Sequence, residues 1–278
     1  MEKLNLEGID KPVSLTETLK RDFANGTVYM LTLSDGMHIE TTDTFLPYYT
    51  KDAIGRKQNK LDNYQLGNRN ERWMIGVSCM SGCPVHCRFC ATGQLKHWRN
   101  LTAQEIFEQV KFVVDKNSEY YDPYGAKEFK INYTRMGEPF LNIEAVREAM
   151  QMVDEYLPGM KVHHYISTIG IKGSDFSWIK DNITLQISLH SLDESRRDDL
   201  IPFKNKMTIE ELGKIRTQSN LKTTINMTLV DEVDFDIEKL KKYFDKKHFF
   251  IKLSPINPNE VSDKNNLGAG IIEGINLV

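Results

Sequence analysis

Cysteine is scarce in this chain and tightly placed. There are four in 278 residues, and all of them lie between Cys79 and Cys90. A disulfide framework needs cysteines spread along the chain, so this placement excludes one and points to metal ligation in a reducing compartment. Long apolar runs are missing too: none approaches the length of a membrane span, and Met1-Glu2-Lys3-Leu4 does not open a secretory signal. The expectation is a cytoplasmic protein with no membrane partner. Nor is there an excess of charge. A formal net charge of −3 supplies no global attraction to nucleic acid, although a local basic face stays open. With 40% hydrophobic and 27% charged residues, the balance is that of a soluble globular chain. The length suits one large α/β domain, or a medium domain with an appendage.

Residues 1–26 are polar and without a clear period, which predicts a helix or a loosely held arm. From Thr27 the pattern changes to that of a strand, with Tyr29, Leu31 and Leu33 on one face and Val28, Met30 and Thr32 on the other. Ser34-Asp35-Gly36 supplies a turn and residues 37–41 return, a hairpin signal. Residues 47–72 carry Arg56, Lys57, Lys60, Arg69 and Arg72; a solvated connector fits them better than a phosphate-contacting loop. After Arg72 a rhythm begins. Strand-like runs at 74–79, 128–134, 161–167, 183–189, 222–229 and 249–254 alternate with helix-like stretches at 103–116, 143–156, 176–180, 194–200, 209–217 and 237–244. Thr102-Ala103-Gln104-Glu105 and Thr208-Ile209-Glu210-Glu211 read as capping boxes at two helix starts. Six strands alternating with helices predict a parallel, barrel-like sheet. A full eightfold barrel needs about 250 residues, and roughly 200 remain after Arg72. The fold class is therefore α/β, a partial (β/α)6 TIM-like barrel over 73–278, preceded by an N-terminal region, 1–72, of arm, hairpin and basic connector.

The chemistry centres on Cys83-Pro84-Val85-His86-Cys87-Arg88-Phe89-Cys90, three cysteines in a C-x3-C-x2-C spacing. Three close thiolates can hold three irons of a four-iron cluster and leave the fourth iron open for a ligand. Two rivals stand beside this reading: a zinc site with Cys79 as fourth ligand, and an electron-transfer cluster completed by Cys79. Zinc sites usually pair two short knuckles across a longer span, and Cys79 fits better as a small buried apolar residue.

In parallel α/β sheets, ligand-binding groups gather at the carboxyl ends of the strands. The cysteine loop follows the first predicted strand, Met136-Gly137-Glu138-Pro139 the second, and Ser167-Thr168 ends the third. Ser188-Leu189-His190 ends the fourth, and Asn257-Pro258 follows the sixth. All of these polar clusters fall on one rim. Glu138 would offer a carboxylate to a bound cation. Ser188 and His190, two apart on a strand, should share a face, and His190 is either a structural group or a functional one. His163 and His164 face opposite ways and are read as structural.

Together these motifs resemble the RlmN/Cfr family of radical S-adenosylmethionine (SAM) enzymes, which methylate adenine in ribosomal and transfer RNA. The resemblance runs from about Thr27 onward. It takes in Asp35-Gly36, Ile39-Glu40-Thr41, the cysteine loop, Arg99-Asn100-Leu101-Thr102-Ala103 and Met136-Gly137-Glu138-Pro139 with Leu141-Asn142. It continues through Ile166-Ser167-Thr168, Ile187-Ser188-Leu189-His190, Arg197, Ile201-Pro202 and Asn257-Pro258. It implies a [4Fe-4S] cluster on Cys83, Cys87 and Cys90, and SAM contacts from Gly137, Glu138, Ser167, Ser188, Leu189, His190 and Asn257. It further implies Glu40 as proton acceptor, and an electron donor such as flavodoxin or ferredoxin. RNA is left as an open partner, because the chain departs from the family in four places. Gly76 stands where the family has a cysteine on the first strand. Arg135 replaces a glycine. The N-terminal region is shorter than the family's RNA-binding extension. The sequence ends at Val278, before the family's methyl-carrying cysteine, and no cysteine follows Cys90. The expectation is a radical SAM enzyme of undetermined substrate in which the two-cysteine methylation route cannot run. The alternatives are a shortened or divergent RNA adenine methyltransferase, and a non-catalytic iron–sulfur or zinc protein on the same scaffold.

Overall fold

A computed structural model describes residues 13–46, 67–229, 235–256 and 259–267. Strands β1 (Thr16–Phe23), β2 (Gly26–Thr32) and β3 (His38–Leu46) form an antiparallel meander. Next comes β4 (Arg72–Val77), antiparallel to β3. The short strands β5 (Met80–Ser81) and β6 (Arg99–Asn100) pair with each other and close the cysteine loop between them. The remaining elements are α1 (Ala103–Asn117), β7 (Glu128–Tyr133), α2 (Ile143–Tyr156), β8 (Val162–Thr168), β9 (Ile183–Ser188), α3 (Glu194–Leu200), α4 (Ile209–Gly213), β10 (Thr223–Leu229), α5 (Ile237–Tyr243), β11 (Phe249–Pro255) and α6 (Glu260–Lys264). One sheet orders them β1-β2-β3-β4-β7-β8-β9-β10-β11. Within this sheet every pairing from β4 to β7, β8, β9, β10 and β11 is parallel. This is the partial barrel, with the antiparallel meander continuing its first edge.

The strand periodicity explains which way the sheet faces. Ile75, Val77, Phe129, Ile131, Ile166, Leu185, Ile187, Ile225 and Met227 are buried and form one hydrophobic cluster with Ile106, Val110 and Val113 of α1 and Val146, Ala149 and Val153 of α2. The alternate residues make the other face, in register from Gly76 to Asn132 to Tyr165 and from Gln186 to Thr224. Most of these are polar and only partly buried. A parallel sheet covered on both faces would read as continuous apolar runs. Here the concave face carries no helix among the described residues and is polar and partly exposed.

Both capping boxes form: the Thr102 and Thr208 side chains accept from the backbone of Glu105 and Glu211, and each glutamate returns the bond. Three local expectations are overturned. Residues 16–23 are a strand, not a helix or a loose arm. β1 is an edge strand with seven of its eight residues exposed, so no apolar period marks it; charged residues suit such an edge. It is held by its ladder to β2 and by Lys116 pairing with Glu17 at 2.5 Å. Residues 176–180 form turns, because the Asp175 carboxylate accepts from the Ser177 N–H at 2.8 Å and offers the backbone an alternative to helix. The helix expected over 209–217 stops at Gly213.

Part of the expected basic connector is structural. Asp43 is fully buried and accepts from Arg69 through Nε (3.1 Å) and Nη2 (2.6 Å), from Trp73 Nε1 (2.8 Å) and from Asn117 Nδ2 (3.0 Å). The Arg69 guanidinium also lies against the rings of Phe45 and Tyr121. Arg72 pairs with Glu128. Arg56, Lys57 and Lys60 lie outside the described residues. Removing one partner of a buried ion pair leaves the other charge uncompensated, so Asp43→Ala should destabilise the fold by roughly 3–5 kcal/mol. Urea denaturation of the variant beside the parent measures this.

Candidate cofactor site at the carboxyl rim of the sheet

Where β4 ends, buried backbone groups need partners. Gln109 of α1 accepts from the Ser78 N–H at 2.8 Å and donates to its carbonyl at 2.9 Å. The Met136 carbonyl accepts from the N–H groups of Cys79 (2.9 Å) and Met80 (3.1 Å), and the Cys79 carbonyl accepts from Leu101 N–H and Asn142 Nδ2. The loop after β7 therefore lies across the start of the cysteine loop. Gly137 makes this possible: its φ is +106°, and a Cβ there would sit 2.5 Å from Met80 Cγ and 2.9 Å from Cys79 Sγ. Cys79 is buried, with its thiol toward the Met136 carbonyl at 3.5 Å.

Downstream, Cys83 is buried and Cys87 and Cys90 are half-buried. The Cys90 N–H donates to the Cys87 carbonyl at 3.1 Å, and His86, at φ +59°, donates through Nδ1 to the Gly93 carbonyl at 2.6 Å. Burial pushes the Cys83 thiol up to about 12 and the Cys87 thiol well above its ordinary value, with neighbouring thiolate charge adding to both. The thiols thus lie within electrostatic reach of one another and of Glu138. Among the described residues no three His, Cys, Asp or Glu side chains converge as a single-ion site.

The outside of this loop is clamped by elements far along the chain. Arg88 N–H donates to the Leu200 carbonyl at 3.0 Å, and the Arg88 side chain pairs with Asp199. Asn265 Nδ2 donates to the Arg88 carbonyl (2.7 Å) and Asn259 Nδ2 to the Phe89 carbonyl (3.1 Å).

Glu138, within electrostatic reach of the thiols, is buried. Its Oε1 accepts from Phe140 N–H (3.0 Å) and its Oε2 from Ile169 N–H (2.9 Å), and burial raises its carboxyl to about 7. Ser167 and Ser188 meet at 3.3 Å between Oγ atoms. The alternation expected for Ser188 and His190 breaks down, because β9 ends at Ser188 and His190 turns away at φ +64°. His190 is buried, accepts through Nδ1 from the Thr228 N–H at 3.1 Å, and packs edge-on against Phe89 at 4.8 Å. Burial drives its pKa down to about 3, so the ring is neutral. Leu189 is buried and its N–H donates to the Asn226 carbonyl. Asn257 lies outside the described residues. His163 and His164 do face opposite ways, the first bonding Thr184 and the second Tyr133.

Asn226, which the motifs did not single out, stands beside Ser188 in register and gives its Nδ2 to Gln186, while its buried Oδ1 has no hydrogen-bond partner among the described residues. The only sequence signal for it is the polar alternation Thr224, Asn226, Thr228. An orphaned amide oxygen and a buried carboxylate facing N–H groups rather than a cation are what a cationic, hydrogen-bonding cofactor would complete; three thiols suit iron. The donor set fits a four-iron cluster with SAM.

Glu40 stands apart from this group. Its backbone carbonyl accepts from Ser78 Oγ at 2.6 Å and its side chain pairs with Arg135. Gly76 lies beneath: a Cβ there would sit 2.4 Å from Thr42 Oγ1 and 3.1 Å from Arg135 Cδ.

Comparison with known proteins defines the class. A model of the radical SAM superfamily matches residues 77–244, more than half of the chain, and the chain belongs to that superfamily. Its cofactors are a [4Fe-4S] cluster and SAM. The RlmN/Cfr-like resemblance is borne out within it. The chain is 32% identical over 193 residues to the "Probable dual-specificity RNA methyltransferase RlmN" of Thermosipho melanesiensis, covering 66% of this chain and 55% of that one. It is 30% identical over 242 residues to the protein of the same description from Pseudothermotoga lettingae, covering 83% and 62%. The chain thus spans less than two thirds of these relatives' length. The fold also matches a radical SAM methyltransferase from Sphaerobacter thermophilus, with TM-score 0.64, 24% identity, and coverage of 92% of this chain and 76% of that one. Among the described residues no helix is long and apolar enough to cross a membrane.

Two measurements probe the site. Asn265→Ala removes the clamp on the Arg88 carbonyl, so iron should be lost from the reconstituted protein several-fold faster during anaerobic gel filtration. Glu138 holds a proton in the folded chain that the unfolded chain, with its ordinary value of 4.5, has released. Stability from this group is full below 4.5 and is lost as pH rises toward 7, by on the order of 3 kcal/mol. Urea denaturation of cofactor-free protein across this range should show the decline, and Glu138→Gln should flatten it.

Proposed function

We propose that this chain holds a four-iron cluster on Cys83, Cys87 and Cys90 and reductively cleaves SAM bound by Gly137, Glu138, Ser167, Ser188, Leu189, His190 and Asn257. The observation that carries this reading is the meeting, on one rim, of a three-thiol loop with a buried carboxylate that has no ion-pair partner among the described residues. When bound and reduced, for example by flavodoxin or ferredoxin, the cluster and SAM supply a 5′-deoxyadenosyl radical that abstracts hydrogen from substrate. The protein's part is positional. Glu138 meets the ammonium of SAM, and Gly137 lets the backbone approach. Ser167 and Ser188 offer hydroxyls from the concave face, and neutral His190 braces Phe89 beside Cys90.

A second reading, methylation of adenine in RNA, is supported by the names of the relatives. Against it, the family's strand cysteine is here Gly76, whose side-chain space is taken by Thr42 and Arg135. Glu40, the family's proton acceptor, is engaged by Arg135. We favour hydrogen abstraction from another substrate.

Anaerobic reconstitution followed by a 5′-deoxyadenosine assay tests the reading. Product is expected with reductant, and its absence from fully iron-loaded protein would sink the proposal. Cys87→Ala should lose iron and product together, whereas Cys79→Ala should keep both. Methylated adenine in RNA treated with the protein would establish the second reading instead.

A further inference from the structure

Arg135 is met differently from the other arginines packed around this sheet. Arg69 forks onto Asp43 among aromatic rings. Arg99 bridges Asp35 and Glu105 and reaches the Asn100 carbonyl. Arg197 is fully buried on the carbonyls of Met207 and Ile169. Arg135 has Glu40 as its ion-pair partner, and more than a third of each of the two side chains remains accessible. Burial nevertheless pulls its pKa down. An ion pair this accessible contributes about 0–1 kcal/mol, so fold stability does not account for a guanidinium laid over the sheet. Gly76 makes the space, since a Cβ there would come within 3.1–3.3 Å of the Arg135 stem.

Its place is set by the site's own framework. The Arg135 N–H donates to the Val77 carbonyl at 3.2 Å, and Met136 N–H donates to Ser78 Oγ at 3.2 Å. That same hydroxyl holds the Glu40 carbonyl. In register, Thr42 faces Gly76, Gly76 faces Asn132 and Asn132 faces Tyr165. Since alternate residues share a face, Glu40 lies on the concave side. The pair therefore stands at the β3–β4 end of the concave face, two residues before Gly137-Glu138, with Ser167, Ser188 and Asn226 at the other end. A substrate lying on that face would have Ser167, Ser188 and Asn226 on one side and Arg135 on the other.

A guanidinium presents five N–H donors in a planar fork, of which one carboxylate uses at most two, and its match is a carboxylate or phosphate oxygen pair. We propose that Arg135 is the substrate anchor of this enzyme, binding an anionic group of the substrate, carboxylate or phosphate, while Glu40 is its resting counter-ion and competes with that group. The inference rests on the radical SAM reading for what the substrate meets, but its test does not. Glu40 and the anion oppose each other, so their variants should move binding in opposite directions.

The test is titration of iron-loaded, SAM-bound protein with inorganic phosphate and, separately, with 13C-labelled acetate, followed by 31P and 13C line broadening. Arg135→Gln should weaken binding of the preferred anion about tenfold or more. Arg135→Lys, which keeps charge but not the fork, should fall between, and Glu40→Gln should tighten binding. Preference for phosphate assigns a phosphate-bearing substrate, and preference for acetate a carboxylate. Absence of saturable binding in the parent protein, equal binding by Arg135→Gln, or weaker binding by Glu40→Gln overturns the anchor. Cleavage of SAM by the parent protein is measured in parallel. Cleavage without Arg135-dependent binding sinks the anchor alone, and Arg135-dependent binding without cleavage sinks the radical reading alone.

Discussion

The site depends on how one strand end is satisfied. β4 runs from the sheet into a cysteine loop, and at Ser78 and Cys79 its backbone is still buried past the last β4–β7 pair, Val77 with Tyr133. An unpaired buried N–H or carbonyl costs about 1–3 kcal/mol, so these groups must be met from elsewhere. Gln109 meets Ser78, and Met136, Leu101 and Asn142 meet Cys79 and Met80. In meeting them, α1 and the loop after β7 become fixed against the base of the cysteine loop. That places Glu138 beside the thiols and Arg135 over Gly76. A hydrogen-bonding requirement thereby fixes the arrangement of the candidate site.

The second organising feature is the asymmetry of the sheet. Helices cover the apolar face, while the polar face stays reachable, lined by Asn132, Tyr165, Ser167, Gln186, Ser188 and Asn226. A chemistry that delivers a radical to an external substrate needs such a face, because the substrate must lie beside the cofactor rather than in a packed barrel interior. The antiparallel meander extends this surface past β4 and brings Glu40 to it.

Much of this was legible in the sequence. The six strand-like runs are the six parallel strands, and the capping boxes at Thr102 and Thr208 start α1 and α4. The rule that ligand groups follow strand ends places Gly137, Glu138, Ser167 and Ser188 on one rim. Local reasoning fails where the chain relies on something other than periodicity. β1 has no buried face to mark it. Residues 176–180 have the apolar spacing of a helix but are turned by Asp175. His190 has the spacing of a strand residue but adopts a positive φ after the strand has ended.

What the sequence determined alone is the class of chemistry and the scaffold. Cysteine spacing, strand alternation and helix caps are local patterns, and each carries its physical meaning within a few residues. What only the tertiary structure decided is how distant side chains settle around that chemistry. Asn265 reaches the carbonyl of Arg88 across 177 positions. Asn226 buries beside Ser188 an amide oxygen that has no partner among the described residues. Gly76, Arg135 and Glu40 are three separate departures or matches when read along the chain. In the fold they become one unit, because only the fold shows that the space left by the missing Cβ is filled by the arginine and that the arginine ends on the glutamate. Burial and charge pairing act over distance in space, which the order of residues does not record.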